Sequence, residues 1–137
     1  MATKIKFCGF TREEDLVEAI ALGVDYVGFV FAARSRRRVT PDRARALRAA
    51  VPAGIGVVAL VMDNPADEVG AIVETLHPDV LQCHGGESEG FAAQFGLPYW
   101  KVVAMGGDPC AALAHLADYP QAQAFLFDGH AAGEPGG

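Results

Sequence analysis

Apolar positions along the chain follow two alternating patterns. Residues 4–8, 26–31, 55–62, 80–83, 100–104 and 124–128 are short runs rich in Val, Ile, Leu, Phe and Tyr, several of them unbroken, as strands buried on both faces require. Between the runs, apolar residues recur at helical spacing. Leu16, Val17, Ile20 and Ala21 share one face, Ala44, Leu47 and Val51 a second, and Val69, Ile72, Val73 and Leu76 a third. The helix starts carry signals of their own. Thr11 with Glu14 three residues on predicts a capping box, and Thr40-Pro41, Asn64-Pro65 and Asp108-Pro109 each set a capping side chain before a proline. Gly23 is a natural stop for the first helix. Two further helices are predicted, over residues 87–95 and from Pro109 to about Tyr119.

About six strands and five helices in strict alternation predict a parallel sheet, because parallel neighbours need crossover helices. The length, 137 residues, suits one domain with an open, doubly wound sheet. A (β/α)8 barrel needs about 200 residues or more. In both architectures ligands gather at the carboxyl ends of the strands.

Composition narrows the partners. About half the residues are apolar and the net charge is −6, with no long basic run, so neither nucleic acid nor an anionic membrane is expected. No apolar stretch reaches the roughly 18 residues of a membrane span, and the first residues have no signal-peptide core. Cys8, Cys83 and Cys110 are an odd number at wide spacing, which fits reduced thiols and a cytoplasmic address. Cys83-His84 lacks a ligand set at regular spacing, so no metal is expected.

The strand tips carry chemistry that folding does not require. Cys8 ends the first strand just before a helix N-terminus, whose dipole favours thiolate. It reads either as a general base or nucleophile or as an inert, buried thiol. Asp128 ends an apolar strand, where desolvation would raise its pKa and suit it as a general acid; the alternative is a loop cap. Arg34, Arg36, Arg37 and Arg38 follow the second strand, as a solvated loop or with one guanidinium turned inward to grip a carboxylate or phosphate. His84 ends the fourth strand. Gly106-Gly107 and Gly136-Gly137 are weak phosphate-loop candidates.

Four stretches together resemble the phosphoribosylanthranilate isomerases of tryptophan biosynthesis: Lys4-Ile5-Lys6-Phe7-Cys8-Gly9-Phe10-Thr11; Gly23-Val24-Asp25-Tyr26-Val27-Gly28-Phe29-Val30-Phe31 with Ser35-Arg36-Arg37-Arg38-Val39; Leu81-Gln82-Cys83-His84-Gly85; and Phe125-Leu126-Phe127-Asp128. Any one is weak, but their order and spacing run the length of the chain. Phe7 and Phe10 stand where aliphatics are usual, Cys83 where leucine is, and Ala33 where proline is common. The resemblance implies a (β/α)8 TIM barrel rather than the open sheet, here incomplete, with residues 1–137 as one barrel domain lacking its last two βα units. It implies the Amadori rearrangement of N-(5′-phosphoribosyl)anthranilate, an aminoaldose, to the 1-deoxyribulose 5-phosphate aminoketose, by acid–base catalysis without cofactor or metal. By the same resemblance the catalytic cysteine falls on Cys8, the base removing the C2′ proton, and the catalytic aspartate on Asp128, the acid protonating the ring oxygen. Arg37 meets the anthranilate, and His84 is a further substrate-binding residue. The phosphate site is expected in the missing units, so weak activity and self-association through open barrel edges are expected of this chain alone. The competing reading is a complete flavodoxin-like signalling or binding domain, with Asp63 after the third strand as its one point of agreement.

Overall fold

The computed structural model describes residues 2–134. Six strands, β1 (Lys6–Cys8), β2 (Tyr26–Val30), β3 (Gly56–Val61), β4 (Val80–Cys83), β5 (Tyr99–Ala104) and β6 (Ala124–Asp128), alternate with five helices. The helices are α1 (Glu13–Ala21), α2 (Pro41–Arg48), α3 (Ala66–Leu76), α4 (Glu89–Ala93) and α5 (Pro109–Ala114), the last prolonged by a 3₁₀ turn, His115–Asp118. All strand pairs are parallel and the order is β1-β2-β3-β4-β5-β6. A doubly wound sheet reverses its order at a switch point. None occurs here, so the open sheet that the length suggested, and the flavodoxin-like alternative with it, give way to an incomplete (β/α)8 barrel of six parallel strands.

The register sorts the strands by parity. Lys6 pairs with Tyr26, Tyr26 with Gly56, Val58 with Val80, Gln82 with Trp100, and Trp100 with Ala124. Even-numbered strand residues therefore share one face. That face carries two small apolar clusters, Val58, Val80 and Trp100 with Tyr26, Ala124 and Leu126, and above them Val30, Ala32 and Leu60 with Cys8 and Met62. Odd-numbered residues, among them Val27, Phe29, Val57, Ala59, Leu81, Cys83 and Tyr99, form the main core with Leu16, Leu47, Ile72, Leu76 and Ala92 of the helices.

Two of the four helix-start signals act as read. Thr40 Oγ1 accepts from Arg43 N at 3.1 Å, and Asp108 accepts from Cys110 N at 3.0 Å. The other two do not. Helix α1 starts from Arg12, with no side-chain cap, and Arg12 instead pairs with Asp15 at 2.8 Å. Helix α3 starts from Pro65, because Asn64 is spent elsewhere: its carboxamide accepts from Met62 N and donates to Phe31 O, linking the tips of β3 and β2. Gly23 does end α1, at φ +84°.

Candidate active site

The tip of β1 is shaped around a guanidinium. Gly9 takes φ +92°, and a β-carbon there would stand 2.5 Å from Arg37 Nη1. Arg37 thus lies over the turn that follows Cys8, and its Nη1 donates to Cys8 O at 3.0 Å. Arg37 stays exposed but lines a cavity with Cys8. Arg38 pairs with Glu68 at 3.1 Å, and Arg34 donates to Gly133 O at 3.1 Å.

Cys8 and Arg37 line a cavity of about 580 Å³ with Lys6, Val30, Leu60, Gln82 and His84. Lys6 Nζ donates to Gln82 Oε1 at 2.5 Å, tying β1 to β4 across the concave face. A second cavity, of about 510 Å³, is lined by His84, Lys101, Tyr119 and Asp128. His84 is the wall common to both. Cys8, Arg37 and His84 therefore meet in one cavity, and Asp128 meets His84 in the next.

Asp128 is held by two imidazoles, His84 Nε2 at 3.2 Å from Oδ2 and His130 Nδ1 at 2.7 Å from Oδ1. This corrects the expectation of a raised pKa. The hydrogen bond from His130 outweighs burial and holds the Asp128 carboxyl below the usual range. The same contact raises His130, whereas burial lowers His84 despite Asp128. His84 Nε2 faces the carboxylate at ion-pair distance, and its Nδ1 is buried with no partner among the described residues.

His84 stands on a buried polar frame. Glu87, 5% exposed, accepts from Gly85 N at 2.8 Å and Asp63 N at 2.7 Å, while Lys101, 6% exposed, donates to Gly85 O at 2.5 Å. Lys101 and Glu87 approach to 3.7 Å. Gly86 N donates to Asp63. The carboxylate on which the flavodoxin-like reading relied is thus committed to the β4–α4 turn. Of the phosphate-loop candidates, Gly106 N is taken by His130 O at 3.1 Å, and Gly136-Gly137 lies outside the described residues. Sequence reasoning missed Lys6, Gln82, Glu87, Lys101 and His130. Lys6 and Gln82 could have been found from their even parity with Cys8 and His84, each two residues upstream.

These features define a (β/α)-barrel protein whose strand tips carry a thiol, a guanidinium, an imidazole and a carboxylate suited to proton transfer. The family model described as N-(5'phosphoribosyl)anthranilate (PRA) isomerase matches residues 5–136, and the chain belongs to that family. It is 48% identical over 136 residues to N-(5'-phosphoribosyl)anthranilate isomerase of Stenotrophomonas maltophilia (strain K279a), covering 98% of this chain and 62% of that protein. The corresponding protein of Xanthomonas campestris pv. campestris (strain 8004) is also 48% identical, over 140 residues, covering 98% and 63%. Among solved structures, phosphoribosyl anthranilate isomerase from Thermus thermophilus superposes with a TM-score of 0.85 at 39% identity, over 96% of this chain and 65% of that one. The chain thus spans a little over three fifths of the relatives it matches.

Proposed function

We propose that the protein is an N-(5′-phosphoribosyl)anthranilate isomerase, converting that aminoaldose to its aminoketose by acid–base catalysis. The observation that carries this reading is that Cys8 and Arg37 share one cavity with His84 and Asp128 shares the next with it, in a chain that belongs to this family. Cys8 takes the C2′ proton as general base. Asp128, a carboxylate at rest, serves as general acid by passing to the ring oxygen a proton that it first receives, and so opens the furanose. Arg37 faces the anthranilate carboxylate with a planar, bidentate donor set. His84, the wall shared by both cavities, is the further substrate-binding residue. Two groups of different acidity on separate walls suit a reaction that adds a proton to oxygen and removes one from carbon.

In this reading residues 1–137 supply six of the barrel's eight strands, and the protein works in the cytoplasm on a small phosphorylated substrate. The test is conversion of N-(5′-phosphoribosyl)anthranilate, followed by chromatography of the aminoketose. It uses the protein alone and residues 1–137 joined to the C-terminal third of the Stenotrophomonas relative. Turnover in either, lost in Cys8→Ser and Asp128→Asn, is expected. No turnover in both, or wild-type rates in both variants, overturns the reading.

The outer edges of β1 and β6 have no strand partner among the described residues. Phe7 is 43% and Phe127 58% exposed beside them, on the odd-numbered face. Unpaired edges flanked by apolar side chains are templates for association. A second copy pairing there is the proposed occupant, and a chain that stays monomeric in sedimentation at tens of micromolar overturns it.

A further inference from the structure

Asp128 touches two imidazoles in different surroundings. His84, just past β4, has a side chain 12% exposed and its Nδ1 sealed from water. His130, two residues beyond Asp128, has a side chain 45% exposed and holds the other carboxylate oxygen at 2.7 Å. The tip of β5 fixes this second pair from behind: Met105 N donates to Asp128 O at 2.7 Å and Gly106 N to His130 O at 3.1 Å. The pair is therefore set on bonded backbone, with one end in the cavity and the other in solvent.

A general acid that has given up its proton needs a source for the next one. From this geometry we propose that His130 is a proton-supplying, positioning residue that recharges Asp128 from solvent during turnover. The inference rests on the isomerase reading. Asp128 rests as a carboxylate hydrogen-bonded to His130. In each turnover His130 passes its Nδ1 proton to Oδ1, Asp128 gives a proton to the ring oxygen as the C1′–O bond breaks, the carboxylate is restored, and the neutral ring takes a proton from water or a buffer acid on its exposed side. The proton that Cys8 takes from C2′ returns to solvent, so the cycle is neutral and nothing is oxidised or reduced. The charged groups around His130 suit the role. Asp128 and Glu134 both favour its imidazolium, Arg34 of the β2–α2 loop is bound to Gly133 O nearby, and His84 lies beyond the carboxylate. The bond to Asp128 raises the pKa of His130, whereas burial lowers that of His84.

The test uses the active form of the protein and His130→Gln, a change at a half-exposed loop position that leaves the core intact. The single-turnover rate should fall about tenfold or more, within the usual span of general acid–base effects, with KM within about twofold of wild type. Added imidazole should restore the rate in proportion to imidazolium, while wild type stays insensitive to it. A purely structural role for His130 would not respond to buffer acids. A substrate-free readout stands beside this: the NMR titration of His130 should move down in Asp128→Asn. A wild type without turnover overturns both this inference and the isomerase reading. An active wild type overturns this one alone if His130→Gln keeps its rate, if imidazole gives no rescue, or if His130 titrates identically in Asp128→Asn.

Discussion

Cys8 Sγ lies 2.6 Å from where a β-carbon on Gly28 would stand, so the thiol occupies space that only a glycine leaves open. Gly28 is the register partner of Cys8 on β2, and Lys6 Cε comes to 3.1 Å from the same point. The thiol and the lysine stem are thus packed side by side over a bare stretch of backbone. Gly28→Ala must push one of them away. We expect a stability loss of about 1–3 kcal/mol from overpacking. We also expect a rate loss on the order of 100-fold if the thiol moves by about 1 Å from the reacting carbon. Denaturant unfolding and steady-state turnover check the two separately, and an unchanged rate would show that Cys8 does not need its position.

The three thiols should differ in reactivity because their surroundings do. Cys83 is buried in the main core, and burial, followed by the charge of Glu87, pushes its pKa up to about 12. Thiolate is the reacting form. Cys8 is half-buried beside a cavity, and Cys110 is exposed on α5. Iodoacetamide at pH 8 should therefore label Cys110 and Cys8 in the folded protein and spare Cys83 until it unfolds. Peptide mapping by mass spectrometry decides this, and early labelling of Cys83 would contradict its burial.

Alternation in the sequence made the strands legible, since runs such as residues 80–83 and 124–128 coincide with the observed elements. Length alone misled, because chain length says nothing of strand order, and it is the unbroken order β1 to β6 that separates a barrel from a doubly wound sheet. The capping signals at Thr11 and Asn64 failed for a local reason. A longer-range hydrogen bond took Asn64, and Arg12 rather than Thr11 stands at the start of α1. Cys8, His84 and Asp128 could be read as candidates because each lies at or just past a strand end, whereas Arg37 was singled out among the loop arginines only by the family resemblance. Glu87, Lys101 and His130 could not, because their partners are fixed by tertiary contacts. The acidity of Asp128 was misjudged for the same reason, since the contact with His130 is invisible until the loop is placed.

Lys101 and Glu87 form a buried pair that holds Gly85 by both its amide and its carbonyl. Replacing one partner leaves the other charge without compensation in a low-dielectric setting. Lys101→Met should cost about 3–5 kcal/mol, the usual penalty for breaking a buried pair. The double change Lys101→Met with Glu87→Met should cost less than the sum of the two single changes, because no lone charge remains. Chemical denaturation of the four proteins measures the coupling. Additive losses would mean that the two side chains act independently of each other.

His84 and His130 should give the stability curve opposite slopes in adjacent pH windows. His84 titrates below 6.5 in the folded state, first because it is buried. Between its folded pKa and 6.5 the unfolded chain binds more protons, so stability falls as pH falls through that window. His130 titrates above 6.5, first because of its bond to Asp128. Between 6.5 and its folded pKa the native state binds more protons, so its contribution is fully present below 6.5 and is lost as pH rises. The two effects together place a local stability maximum near 6.5. His84→Asn should flatten the curve on the acid side of that maximum and leave the alkaline side as it is. His130→Gln should do the reverse. Urea midpoints taken at half-unit steps from pH 5 to pH 8.5 separate the two sides. A single variant that flattened both would mean that the two imidazoles titrate as one coupled unit through Asp128.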